Sequence, residues 1–217
     1  MFARYHSERI DGQVKECAWL QVELRLRILV ACEESGKVRR AFRAKGHDAW
    51  SCDLLPSRDG SPFHIQGDVL PLLSEPWDMV IAFPPCTHLA VSGAKHFAEK
   101  RADGRQAEGI AFFMACINAN APFVCVENPV GIMSTVYRKP DQIIHPWQFG
   151  HPEQKKTCLW LKGLPGLKPT NDVYEYMITL PKNQRERLHY LPPGKDRAKI
   201  RSETFDGIAD AMSDQWQ

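Results

Sequence analysis

The chain lacks any cysteine pair at C-x-x-C spacing, any apolar run of membrane-spanning length, any internal repeat and any low-complexity tract. Its seven cysteines are an odd number and several sit inside apolar runs, which argues against a disulfide framework. Reduced thiols in a cytoplasmic core are expected, and no zinc site. The first sixteen residues mix acids and bases without the apolar centre of a secretory leader, and a bilayer span needs about 20 apolar residues. A soluble protein with no membrane partner is expected. Nor is one sign of charge in excess: 28 Lys and Arg face 26 Asp and Glu, a net charge of +2, so composition does not announce a nucleic-acid binder. The 217 residues suit one ordinary core with at most a small appendage.

The charge is unevenly placed. Residues 168–201 carry eight Lys and Arg against four Asp and Glu, which leaves the rest of the chain slightly acidic. This proline-punctuated basic segment reads either as a polyanion contact or as a solvated charged loop.

From residue 27 the hydrophobic pattern alternates between strand and helix periods. A strand over 28–32 leads through a turn at 33–36 into a helix through Val38, Phe42 and Lys45, stopped by Gly46. A strand over 48–52 ends in Asp53, and an extended segment over 63–66 precedes Asp68. The most apolar strand covers 77–83, and the longest helix is expected over 98–120, with Ile110, Phe113, Met114 and Ile117 facing the core. Strands over 122–127 and 157–161 follow, then a C-terminal helix over 204–216 with Phe205, Ile208, Ala209 and Met212 on one face. This order implies an α/β fold with a mostly parallel sheet and helices on both faces, whose ligands bind at the carboxyl ends of the strands. Asp53, Asp68, Cys86 and Glu127 each fall just after an expected strand.

Cys86 ends the run Phe83-Pro84-Pro85-Cys86, and Glu127 opens Glu127-Asn128-Pro129. If their strands are parallel neighbours, thiol and carboxyl lie side by side. Such a pair suits one chemistry well. Carbon 5 of cytosine is a poor nucleophile, so a thiolate adding at C6 turns the ring into an enamine that attacks an electrophilic methyl group. A carboxyl group shared with N3 and the exocyclic amine stabilises that addition. Taken singly, a buried core cysteine and a capping or ion-paired glutamate are the plain alternatives.

These pieces resemble the DNA cytosine-C5 methyltransferases, whose nucleophile lies in a Pro-Cys motif and whose catalytic glutamate lies in a Glu-Asn motif on the next strand. Gly150-His151-Pro152-Glu153-Gln154-Lys155 is similar to the family's Gly-x-Pro-Gln-x-Arg segment, and Gly207-Ile208-Ala209-Asp210-Ala211 to its C-terminal Gly-Asn-Ala helix start. The resemblance covers about residues 27–217 and is strongest to the short phage and prophage members. It implies a Rossmann-like methyltransferase fold, Cys86 as nucleophile, Glu127 as its acid partner, S-adenosylmethionine as cofactor and DNA as partner, with no obligate protein partner. It further implies Asp53 on the ribose of the cofactor, Asp68 near its adenine, and Pro84 at the same site.

The first cofactor loop departs from the family. In place of Phe-x-Gly-x-Gly the chain reads Val30-Ala31-Cys32-Glu33-Glu34-Ser35-Gly36. Gly36 remains as the close-approach position, with Ser35 beside it, and Glu33 or Glu34 either bonds the cofactor's ammonium or is a surface-turn acid. Toward DNA, the resemblance implies Pro85, Thr87, Asn128 and Lys155 near the base and Arg185, Arg187 and Arg197 on phosphates, with Asn128 equally able to brace the loop. His88, Ser92 and His96 either line the pocket or are simple loop residues.

The chain then divides into an N-terminal extension (1–24), a catalytic core (25–167), a basic target-recognition segment (168–202) and a C-terminal helix completing the core (203–217). Full-length family members carry a large recognition domain where this chain has about 35 residues, so little or very short sequence specificity is expected. A target cytosine in a duplex has to leave the stack. Two alternatives stay open: pyrimidine modification at nucleotide level or with another one-carbon donor, and a non-catalytic methyltransferase-like DNA-binding protein.

Overall fold

The computed structural model describes residues 24–217 and, before them, a short antiparallel pairing of β1 (Arg9–Ile10) with β2 (Gln13–Val14). The extension expected over 1–24 otherwise lies outside the described residues. The remaining strands are β3 (Arg27–Ala31), β4 (Asp48–Asp53), β5 (His64–Gln66), β6 (Met79–Ala82), β7 (Phe123–Pro129), β8 (Gln142–Ile144) and β9 (Thr157–Lys162). They form one seven-stranded sheet in the order β5-β4-β3-β6-β7-β9-β8. β9 runs antiparallel to both of its neighbours and every other pairing is parallel, which is the mostly parallel α/β fold expected. The helices are α1 (Lys37–Ala44), α2 (Phe97–Ala102), α3 (Arg105–Ile117), α4 (Met133–Val136), α5 (Tyr174–Thr179), α6 (Lys182–Arg185), α7 (Arg187–Tyr190), α8 (Arg197–Ser202) and α9 (Asp206–Gln215).

Parallel strands covered on both faces need apolar side chains in both directions, which is why β3 and β6 read as unbroken apolar runs. Alternation sorts them. Leu29, Ala31, Val80, Ala82, Val124 and Val126 pack with Phe113, Cys116 and Ile117 of α3 on one face. Ile28, Val30, Met79, Ile81 and Cys125 pack on the other with Val38 and Phe42 of α1 and with Ile208, Ala209 and Met212 of α9. The chain lays β4 and β5 to one side of β3, then crosses back to lay β6 and β7 on the other. Strand order therefore reverses between β3 and β6, and the crevice at their carboxyl ends is where such sheets bind ligands.

Three expectations are corrected. The helix expected over 98–120 is two helices, because Gly104 takes φ +87 between α2 and α3, a left-handed conformation that a right-handed helix does not continue through. Residues 168–202 fold as the short helices α5–α8 rather than a loop, anchored by buried Met177 and Leu188. Glu127 and Asn128 lie inside β7 rather than after it, since β9 extends the pairing as far as Pro129 opposite Thr157.

Candidate active site

The parallel pairing of β6 with β7 ends at Ala82 opposite Val126. One strand then delivers the Phe83-Pro84-Pro85-Cys86 loop and the other delivers Glu127, so the residues expected to act together are brought to one sheet edge. The loop is held from several sides. Phe83 N–H donates to Ala31 O at 3.0 Å, and Asn128 Nδ2 donates to Pro84 O at 2.8 Å. Beyond Cys86, whose carbonyl accepts from Leu89 N and Ala90 N, Lys100 Nζ of α2 donates to Thr87 O at 2.6 Å and Gln106 Nε2 of α3 donates to His88 O. Two consecutive prolines fix φ in the loop and remove two donors that would need partners. Asn128, wholly buried, is thus a brace for the loop, and its carboxamide faces Pro84 rather than open space.

The Cys86 thiol is half-buried. Burial pushes it above its ordinary value of 9.0 and the Glu127 carboxyl adds to this, while Lys155 and Arg201 pull it back. Burial likewise holds Glu127 above its ordinary 4.5, with Lys155 offsetting part of the rise. Its carboxylate makes no hydrogen bond among the described residues. A cleft beside it is lined by Phe83, Glu127, Lys155, Thr157 and, across from them, Ser202 and Phe205. Its free interior is about 10 Å³, close to the least that holds one water. As it stands the cleft has no room for a planar base. Lys155 Nζ donates to Arg201 O at 3.1 Å and lies 5.9 Å from the centre of the Phe205 ring.

The cofactor-side residues divide. Cys32, Asp53 and Asp68 converge after β3, β4 and β5, and the Cys32 thiol is pushed far up by burial, with Cys116, Asp53, Cys52 and Asp68 adding to it. Asp53 Oδ1 accepts from Leu55 N at 2.9 Å and Asp68 Oδ1 from Leu70 N at 3.0 Å, leaving each a second carboxylate oxygen for a ligand hydroxyl. Pro84 is buried at the strand-order reversal. Glu33, Ser35 and Gly36 are otherwise engaged. Glu33 accepts from Val38 N at 2.7 Å and Arg39 N at 3.3 Å, and Ser35 from Lys37 N, so both cap α1. Gly36 has φ +71, and a Cβ there would collide with Arg39 and Asp59. The left-handed residue of this loop nearer the strand is Cys32, at φ +59. Each acid thus keeps an oxygen outside these turns, whereas the first loop is built around its own helix.

On the DNA side, Pro85 and Thr87 are exposed beside Cys86. Three arginines expected on phosphates are spent within the protein: Arg187 pairs with Glu153 at 2.6 Å, Arg197 donates to Leu191 O and His189 O, and Arg185 to Ile178 O. Lys182, Lys195 and Lys199 are exposed without side-chain partners among the described residues. Sequence reasoning missed Ser202 and Phe205 as walls of the cleft, Arg201 as a charge acting on Cys86, and Lys100 as a brace. The Phe205 periodicity was the one available signal. Among the described residues no cluster of His, Cys, Asp or Glu is arranged to hold a metal, and no helix is long and apolar enough to cross a membrane.

No protein-family model matches the chain, and no curated protein matches it. Three solved structures that it resembles are described as methyltransferases. An E. coli protein described as a DNA modification methyltransferase encoded within a prophage superposes with a TM-score of 0.44 and 18% identity, over 63% of this chain and 46% of that one. The Entamoeba histolytica methyltransferase EhMeth gives 0.48 and 14% over 69% and 58%. The S. pombe Dnmt2 methyltransferase gives 0.40 and 13% over 81% and 62%. The chain thus spans between about half and three-fifths of these proteins' lengths.

Proposed function

We propose that the protein transfers a methyl group from S-adenosylmethionine to C5 of cytosine in DNA through a covalent bond between Cys86 and C6 of the base. The observation that carries this reading is the meeting of Cys86 and Glu127 at one edge of the sheet, with burial favouring the protonated form of Glu127. A protonated carboxyl donates to N3 of the ring and so favours addition at C6. The Cys86 thiolate adds at C6, C5 takes the methyl group, a base removes the C5 proton, and the C6–S bond breaks to return the thiolate. S-adenosylmethionine supplies an electrophilic methyl group, and Asp53 and Asp68 are the residues that would hold its hydroxyls and adenine. Lys155 and Arg201 favour the thiolate.

A second reading, modification of a free pyrimidine nucleotide, gains from one observation: Arg185, Arg187 and Arg197, expected on phosphates, each hold partners within the protein, so fewer of the expected cations are free for a DNA backbone. Two experiments separate the readings. DNA containing 5-fluorocytosine is expected to form a denaturation-resistant adduct with the protein, since fluorine blocks the elimination step, and Cys86→Ala is expected to form none. Label from methyl-tritiated S-adenosylmethionine is expected in 5-methylcytosine of DNA. Label in deoxycytidine monophosphate alone would select the nucleotide reading, and DNA binding without adduct or label would select a non-catalytic binder.

A further inference from the structure

A second cavity shares no lining residue with the cleft beside Glu127. Trp147 stands on the 3-10 turn Pro146–Gln148 and Tyr174 on the first turn of α5. The backbone fixes one against the other: Val173 N donates to Trp147 O at 2.9 Å and Thr170 N to Gln148 O at 3.1 Å. The two rings meet edge-on with centroids 5.0 Å apart, and His145 stacks on Trp147 at 5.4 Å. With Asp172 and Glu175 they line an open cup of about 330 Å³. Asp172 Oδ1 accepts from Tyr174 N at 2.8 Å, which sets that carboxylate at the rim. Neither acid has an ion-pair partner among the described residues. Burial, with Lys156 adding to it, holds His145 below its ordinary value, so at neutral pH the ring brings no positive charge of its own.

Charge and surface together select the ligand. Aromatic faces attract a cation within about 6 Å of the ring centre, Trp most strongly. Two unpaired carboxylates repel phosphate, and would lose hydration without return against a neutral apolar guest. A hard metal ion takes about six to eight oxygen ligands, which this cup does not offer. We infer that the cup binds an organic ammonium ion, its apolar perimeter on Trp147 and Tyr174 and its charge facing Asp172 and Glu175. Quaternary ammonium metabolites and the lysine side chain both present this chemistry. Residues 168–202 would then carry a cation-binding acidic end at 172–175 and a basic end at 182–201.

Calorimetric titration of the full chain at low ionic strength tests this with choline, with its uncharged isostere 3,3-dimethylbutan-1-ol, and with Nα-acetyl-lysinamide. A cation is expected to saturate one site and the neutral alcohol to bind at least tenfold more weakly. The double change Asp172→Asn and Glu175→Gln, which keeps the amide-capping oxygen at position 172, is expected to weaken the cation at least tenfold, as is Trp147→Ala. If Trp147→Ala loses its circular-dichroism signal, the double variant decides. Tighter binding of choline assigns a free quaternary ammonium, and tighter binding of the lysinamide assigns a protein lysine. Equal binding of choline and its isostere, no binding of either cation, or unchanged binding in the double variant overturns the inference.

Discussion

Burial holds the Glu127 carboxyl above its ordinary 4.5, and Lys155 offsets only part of the rise. A folded-state value above the unfolded one adds stability that is complete below pH 4.5 and is lost as pH climbs through the folded value. Near neutral pH this buried acid therefore costs stability. Glu127→Gln keeps the shape and removes the ionisation, so it is expected to raise Tm at neutral pH, with the gap to the parent closing as pH falls toward 4.5, while adduct formation is lost. For a chain of this size each kcal/mol is worth about 2–4 °C in calorimetry. Lys155 acts on both members of the pair. Removing it lifts the Cys86 thiol further, so in Lys155→Ala the alkylation of Cys86 by iodoacetamide, followed by peptide mapping, is expected to slow at any pH near neutrality. That Cys86 and Glu127 come to the ends of neighbouring strands was legible because each follows an apolar run, Met79–Ala82 and residues 123–126. Glu33 was ambiguous for a physical reason: an acid after a strand serves a ligand or its own helix equally well, and the bonds from Val38 N and Arg39 N that engage it leave no trace in the sequence.

At the scale of elements, the loop carrying the nucleophile is locked to the segment following β7. Ile132 N donates to Leu89 O at 2.9 Å, Val91 N to Val130 O at 3.0 Å, and Ala90 bridges Gly131. A Cβ on Gly131 would come 2.4 Å from Leu89 O, and that partner is backbone with nowhere to yield. Gly131→Ala is expected to cost roughly 1–3 kcal/mol by thermal denaturation. It is also expected to slow adduct formation by up to about 100-fold, since a shift of about 1 Å in a reacting group has that effect. β3, β6 and the first half of β7 could be read because both-face burial writes continuous apolar runs. β8 could not, being three residues at the sheet edge with Ile143 half-exposed. The break in the long helix could not be placed either, since Gly104 announces it only once its φ is known, and Gly109 lies within α3 without breaking it.

At the scale of the whole molecule, ion pairs tie the cleft's outer wall to the sheet. Arg58 joins Glu34 and Glu203, each at 2.6 Å, and Lys37 joins Glu203 at 2.9 Å and Asp206 at 3.0 Å. Burial alone would raise Glu203, but Lys37 and Arg58 hold it below its ordinary value. Its contribution is present above pH 4.5 and fades as pH falls through the folded value. Partly exposed pairs are worth about 0–1 kcal/mol each and are screened by salt. Glu203→Gln is therefore expected to speed hydrogen exchange over residues 201–206 with little change in Tm, and high salt to do the same to the parent but not to the variant. None of this was legible, because charge complementarity across such separations leaves no periodic trace. The Arg58–Glu203 contact spans 145 positions, and closing so long a loop costs entropy that only a formed sheet repays. The pairing of β6 with β7 closes a far shorter loop, so Cys86 and Glu127 are expected to meet before the cleft wall docks. During synthesis they also emerge well before residues 201–206, so a nascent chain with its central strands paired presents Glu127 without the wall at Ser202 and Phe205, and Cys86 without the Arg201 charge that helps to ionise it.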